Sequence, residues 1–498
     1  MLTVTPAVSA ASRSAAGVYD VRDFGARGDG KALDTAAINR AMDAAASAGG
    51  GTVRLPAGEY RSTSVHLRSN VTLEIGAGAT LIAAAPGNGV GYDPAEPNPA
   101  GGHYQDFGHS HWHNSLVWGE GLHDVAIVGP GQIFGQGLAR DSSPDGKDQS
   151  GIGNKSIALK LCRNVILRDI TIRHGGWFGL LATGVDNLTV DGLKIDTNRD
   201  GMDLDCCRNV RVSDCTVNSP HDDGICLKSS YGLGFLRPTE NVTITNCQVS
   251  GFDEGTLLDG TFQGRGGTGR IKFGTESNGG FRNITVSNCV FDHCLGLALE
   301  EVDGGALEDV SVSNLTLRDI GNAPIFLRLG GRLRGPAGTA MGALRRVGIS
   351  HVDVYDAAPA SSVIVAGVPD GRIEDVAMSD IRLWFRGGGT PAQAARVPPE
   401  DEKGYPEPGS LGVMPAYGFF LRHVRGISLD HVQVHSLTDD RRPAFVLNDV
   451  GGADFAQVNA QHPAGVPVFA LESVSDLALH QVRGVADTMR ERVEAGTM

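Results

Sequence analysis

Short runs of alternating aliphatic and polar residues recur along the chain, each led by an Asn or Asp. They read NVTLEI from Asn70, NVILRDI from Asn164, NLTVDGL from Asn187, NVRVSDC from Asn209, NVTITNC from Asn241, NITVSNC from Asn283 and DVSVSNL from Asp309. Weaker copies start at Arg346, Asp375, Gly426 and Ser475. Each predicts a strand, a turn and a second short strand. Successive leaders 164, 187 and 209 stand 23 and 22 residues apart, and 283 and 309 stand 26 apart. A unit of that size without a helix cannot bury its own apolar face, so it must stack on its neighbours. Six residues after each leader come Ile170, Leu193, Cys215, Cys247, Cys289 and Leu315, always small or apolar. That column predicts an all-β fold, a single-stranded parallel β-helix, right-handed by the chirality of parallel connections. The leading Asn residues suit a stacked amide ladder at a coil corner, or a simple turn preference.

One stretch breaks the pattern with helical spacing. DTAAINRAMDAAASAGG, from Asp34 to Gly50, carries Ile38 and Met42 at i, i+4 behind Asp34 as N-cap, and glycines end it. A helix there would cover the open first coil. Residues 1–17 read as a flexible tail and 18–498 as one solenoid, with insertions at about 87–118 and 387–417 that leave the repeat period.

Composition sharpens this picture. The 498 residues include 69 glycines but only 23 prolines and no G-X-Y period, so the glycines mark tight turns rather than a triple helix. A net charge of −14 argues against nucleic acid as partner. No apolar run is long enough for a membrane span. The eight cysteines show no zinc spacing, so no metal or other cofactor is expected, and oligomeric state is not legible.

Two adjacent repeats concentrate acids: NRDGMDLDCC (Asn198 to Cys207) and HDDGICLKSS (His221 to Ser230). Asp200 stands 13 residues after Asn187 and Asp222 stands 13 after Asn209, with Asp223 beside it. Equal offsets in stacked coils lie about 4.8 Å apart, so the three should cluster on one outer wall. Trp177 holds the same offset from Asn164 and suits a sugar-stacking platform; Lys228 follows a few residues along. Clustered carboxylates raise one another's proton affinity, so one can act as acid while another activates water, the pair glycoside hydrolysis needs. A lone Asp-Gly would be a turn former, but three acids at matched offsets favour a site. Strict alternation would turn one of Asp222 and Asp223 inward, so the turn before them must break it.

The segment from Val18 to Tyr60 and the NRDGMD and DDGICLKS segments together resemble glycoside hydrolase family 28, the polygalacturonase-like parallel β-helices. The resemblance implies Asp222 as general acid and Asp200 and Asp223 as the pair that positions water, with inversion. It brings Asn198, Asp203 and Lys228 along as substrate contacts. Two features depart from the family. Thr268 stands where its usual histidine would be, and Ala298, Leu299 and Glu300 stand at its R-I-K motif. That exchange would repel a uronate there and makes smooth homogalacturonan a less expected substrate.

An Arg270-Ile-Lys272 string occurs one coil early and could hold a carboxylate from another subsite, or be a chance surface match. Glu276 and Glu301 could bond sugar hydroxyls or simply be solvated. Arg328, near Arg332 and Arg334, could cradle a carboxylate or hold loop carbonyls. In the first insertion, His111 and His113 are read as hydrogen-bonding sugar, with Trp112 or Trp118 stacking on it. The second insertion reads as a lid, which would give end-on cleavage. The expected activity is a metal-independent, inverting exo-glycosidase on pectin-type or rhamnogalacturonan oligosaccharides, releasing galacturonic acid. A non-catalytic carbohydrate-binding β-helix and a β-helical lyase or epimerase are the alternatives. A polymeric substrate implies a periplasmic or extracellular setting.

Overall fold

The computed structural model describes residues 17–140 and 151–498; apart from Gly17, the expected N-terminal tail lies outside the described residues. The chain winds as a right-handed parallel β-helix, each coil laying three short strands onto the coil before it. One coil consists of Asp186–Asp191, Lys194–Asp196 and Asp200–Asp205, and it pairs in parallel with Arg208–Ser213, Thr216–Asn218 and Ile225–Lys228. From Phe281 onward the first two strands of a coil merge into one bent strand, as in Phe281–Asp292 and Ala306–Ile320.

The interior column forms as the pattern predicts. Ile170, Leu193, Cys215, Cys247, Cys289 and Leu315 are all buried in the central core, and Cys289 lies in register with Leu315. All eight cysteines are free and buried, small apolar fillers rather than ligands.

The leading Asn residues form a true ladder. Asn164 donates to Asp124 (2.9 Å), Asn187 to Asn164 (2.9 Å), Asn209 to Asn187 (3.1 Å), Asn241 to Asn209 (3.1 Å) and Asn283 to Asn241 (2.7 Å). Each of these residues has φ between 55° and 57°, the left-handed region that Asn tolerates and branched residues do not. A second corner ladder, absent from the sequence reading, joins Asp214, Asn246, Asn288 and Asn314.

The helix Thr35–Ser47 buries Ala37, Ile38, Ala41, Met42 and Ala45 and closes the first coil. Asp34 does not cap it through its side chain. Its carboxylate instead accepts the backbone N–H groups of Arg27 (2.8 Å) and Gly28 (3.0 Å), so it ties the preceding loop to the cap. At the other end, Thr488–Thr497 turns antiparallel onto Phe469–His480 and covers the last coil.

Both insertions dock on the outside of the third strand column. The first buries Trp112 against Ala158, Phe178 and Leu181. The second buries Leu411 and Met414 against Ala298, Phe326, Ile364 and Phe420. Between these apolar patches the outer wall is a strip of charged side chains.

The amide ladder makes a sharp test. Replacing Asn209 by Ala removes two side-chain hydrogen bonds and leaves a Cβ residue without local help at φ 56°. Together these should cost about 2–4 kcal/mol. Asn209→Gly loses only the hydrogen bonds and should cost about half as much in urea unfolding. Equal losses in the two variants would show that the backbone conformation is not the constraint.

Candidate active site

The strand Asp200–Asp205 turns Met202 and Leu204 into the core and Asp203 and Asp205 outward. A break at Gly201 lets Asp200 face the outer wall as well: Gly201 donates to the carbonyl of Asp223 (2.9 Å), and Asp200 lies in register with Phe178. An added Cβ at Gly201 would fall 2.4 Å from the Gly224 carbonyl oxygen, so only glycine fits this close passage. Asp200, Asp222 and Asp223 bring one carboxylate oxygen each to within 4.8 Å of one another. The expected cluster therefore exists.

Its register differs from the equal-offset reading by one residue. Met202 pairs with Ile225, so Asp200 stacks beside Asp223, while Asp222 falls beside Arg199. The coil takes up an extra residue at the turn through Pro220, because Asn218 still pairs with Asp196 before that turn. This extra residue also breaks the strict alternation and lets both members of the Asp-Asp pair face outward. Trp177 shifts by the same step. It lies under the Arg199 guanidinium at 4.2 Å, so one of its faces is already covered and the free sugar platform read from its offset is not there.

Neighbouring charges separate the proton affinities of the three acids. Asp223 is buried, which alone would raise its pKa, but Lys272, Arg270 and Lys228 outweigh burial and hold it below the usual carboxylate value. Arg270 Nε donates to its Oδ1 at 2.8 Å, and Lys272 Nζ lies 3.5 Å from its Oδ2. Asp222 is raised by burial and by the Asp223 charge, against a smaller opposing pull from Arg199 at 2.5 Å. Asp200 is raised further, by burial and by Asp203 and Asp222. One carboxylate thus has its ionised form favoured beside two whose protons are held more tightly than usual.

A second network backs the first. Lys228 donates to Glu276 (2.8 Å) and lies 3.7 Å from Asp203, which His109 contacts at 3.0 Å. Arg334 also pairs with Glu276. Burial raises Glu276, but Lys228, His109, Arg334 and Arg332 overcome it and keep the group ionised. Asp200 and Asp203 also gather with His109 closely enough to bind a metal ion. A divalent cation there would compete with Lys228, whose Nζ lies 3.7 Å from Asp203.

Of the residues singled out in the sequence, Asp203, Lys228, Glu276, Arg270 and Lys272 therefore join the acids, and the Arg270-Ile-Lys272 string is no chance surface pair, each cation being 1% exposed. Asn198 sits half-buried at the adjoining turn, its carbonyl accepting the His221 N–H. The others lie elsewhere. Alternation along Leu297–Glu301 points Glu300, not Glu301, at the wall; Glu301 bonds the Gly305 N–H instead. His111 stacks on Phe107 and His113 on Trp118, where His113 also bonds Glu120. Trp112 is fully buried and donates to Thr183, so it is a wall anchor and not a sugar platform. Arg328 donates to the carbonyls of Gly367, Glu400 and Asp401, which fixes the lid. The residues missed are Arg199, His109 and, from the lid, Tyr405 and Glu407. No periodicity marks a loop residue that reaches a site across space.

A family model described as rhamnogalacturonase A/epimerase, pectate lyase-like matches residues 18–114, and one described as a right handed beta helix region matches 146–264. A probable polygalacturonase of Vitis vinifera is 26% identical over 313 residues, 59% of this chain and 60% of that one. An exo-poly-alpha-D-galacturonosidase of Dickeya chrysanthemi is 28% identical over 298 residues, 58% of this chain and 42% of that one. The chain thus spans less than two thirds of the length of either relative. An exopolygalacturonase from Thermotoga maritima superposes with a TM-score of 0.61 at 17% identity, covering 83% of this chain and 91% of that one. A family 28 exopolygalacturonase of Yersinia enterocolitica gives 0.59 at 18% identity, covering 95% and 79%. The chain is a relative of the polygalacturonases in sequence and shares the β-helix of the family 28 exopolygalacturonases, the kinship to which its entry segment and paired aspartates point.

Proposed function

We propose that this protein is an inverting glycoside hydrolase that removes galacturonate from the ends of pectin-type or rhamnogalacturonan oligosaccharides, in the periplasm or outside the cell. The observation that carries the reading is the cluster of Asp200, Asp222 and Asp223, in contact yet held at different proton affinities. Asp222, a quarter exposed and with its proton affinity raised, donates its proton to the glycosidic oxygen as the bond to the leaving sugar breaks. Asp223, ionised by Arg270 and Lys272, takes a proton from the attacking water, and Asp200 orients that water. Insertions docked on both sides of the strip favour attack at a chain end. Arg199 beside Asp222 and Arg334 beside Glu276, 29% and 31% exposed, are cations of the wall that a uronate carboxylate can reach.

The close spacing favours one rival. Inverting pairs usually stand about 6.5–9.5 Å apart and retaining pairs about 5–5.5 Å, and here the oxygens approach within 4.8 Å. Nuclear magnetic resonance of the first-formed product decides between them. The proposal expects inverted configuration; retention would make one aspartate a nucleophile.

Asp222→Asn, Asp223→Asn and Asp200→Asn should each lower kcat on a cleaved oligosaccharide by about 10²–10⁴-fold with little change in sugar binding. Wild-type turnover in all three would refute the assignment, and binding without any product in the wild type would favour the carbohydrate-binding alternative.

The pH profile should be a bell. Its acid limb follows protonation of Asp223, whose lowered pKa must be exceeded for activity. Its alkaline limb follows loss of the Asp222 proton above that group's raised pKa. Lys272→Met removes the charge that most lowers Asp223, so the acid limb of kcat should move to higher pH. A limb that stays in place would deny Asp223 the role of base.

A further inference from the structure

The lid delivers a carboxylate of its own to the catalytic wall. Arg270, whose Nε is committed to Asp223, turns both terminal nitrogens onto Glu407, with Nη1 donating to Oε2 at 3.1 Å. Such a two-pronged contact is the one a guanidinium makes with a free carboxylate ligand. Lys272 Nζ stands 3.5 Å from Glu407, 3.5 Å from Glu300 and 3.5 Å from Asp223, and it donates to the Tyr405 hydroxyl at 3.3 Å.

Two buried cations thus face three carboxylates. Asp223 and Glu407 take the two hydrogen-bonded places on Arg270, and Glu300 is left over. Burial pushes Glu300 up to about 8, and neither of its oxygens finds a hydrogen-bond partner among the described residues. With Glu300 neutral the group is charge-balanced, and a further carboxylate would enter with no cation to meet it. Partly exposed cations of the wall lie elsewhere, on Arg199 and Arg334.

We infer that Glu407 is a specificity-determining residue: it sits where a substrate uronate would bind Arg270 and Lys272, and so restricts that subsite to a neutral sugar. A uronate is then read by Arg199 and Arg334, the partly exposed cations beside the acids. The arrangement suits a chain in which uronic acid and neutral sugar, such as a deoxyhexose, adjoin at the scissile bond. The inference rests on the sugar-binding reading above.

Calorimetric titration of the full chain with galacturonate and with galactose tests it without requiring turnover. Glu407→Ala should gain galacturonate binding, read as about tenfold tighter affinity or one further equivalent, while galactose changes by less than about twofold. Adding Lys272→Met to that variant should remove the gain. Glu407→Gln, which keeps the side-chain length and one hydrogen bond to Arg270, should show a smaller gain and guards against a lid that has merely come loose. Galacturonate binding unchanged in both single variants, with wild-type sugar binding intact, overturns the role of Glu407 alone. Failure of the wild type to bind either sugar overturns this role together with the sugar-binding reading.

Discussion

A strand in this fold has no partner within its own coil; its hydrogen bonds run only to the coils before and after it. Every outward side chain therefore has two compulsory neighbours about 4.8 Å away, supplied by residues more than twenty positions distant in the chain. The acid cluster is a direct product of that constraint. Asp200 and Asp223 touch because Met202 must pair with Ile225, and Lys272 lies over Cys226 because Ile225 must pair with Ile271. The corner ladders serve the same end. A corner that turned one residue early would slide the third strand column and separate the acids from their cations.

Contact alone would make three aspartates alike. What distinguishes them is where the positive charges lie along the column. Arg270 and Lys272 come from the next coil and stand against Asp223, whereas Asp222 has only Arg199, itself stacked on Trp177. In a buried wall the local dielectric is low, so these differences in neighbour outweigh any intrinsic similarity of the carboxyl groups. The Lys228, Glu276 and Arg334 network next to them leaves Asp203 close to the acids and Lys228 committed to Glu276. Removing one member of such a network strands a buried charge, which ties the geometry of the site to the stability of the wall.

How far the sequence reveals these relations depends on how many turns intervene. A six-residue offset from Asn209 to Cys215 crosses a corner of constant length, and the interior column follows the pattern from Ile170 to Leu315. A thirteen-residue offset crosses two turns, and the extra residue at Pro220 was enough to exchange the neighbours of Asp222 and Asp223. The cluster was legible and the pairing inside it was not. The choice between Glu300 and Glu301 hinged on the phase of one short strand, which the flanking Leu297 and Leu299 settle only once the strand is known to be there. His109 and Glu407 lie in insertions without any repeat, so their position is a property of docking and not of local pattern.

Docking of the lid is itself both apolar and electrostatic. Leu411 and Met414 cover Phe326, Ile364 and Phe420, and Arg328 and Arg422 bind the carbonyls of Gly367 and of the lid residues Pro398 to Asp401. Glu407 is the point at which this interface meets the acid cluster, because the guanidinium that receives it also bonds Asp223. Arg270 is shared between two carboxylates, Asp223 on the wall and Glu407 on the lid. The residue that seats the lid thus also helps to hold Asp223 below the usual carboxylate value, so the docking of the lid and the electrostatics of the acid cluster depend on one guanidinium.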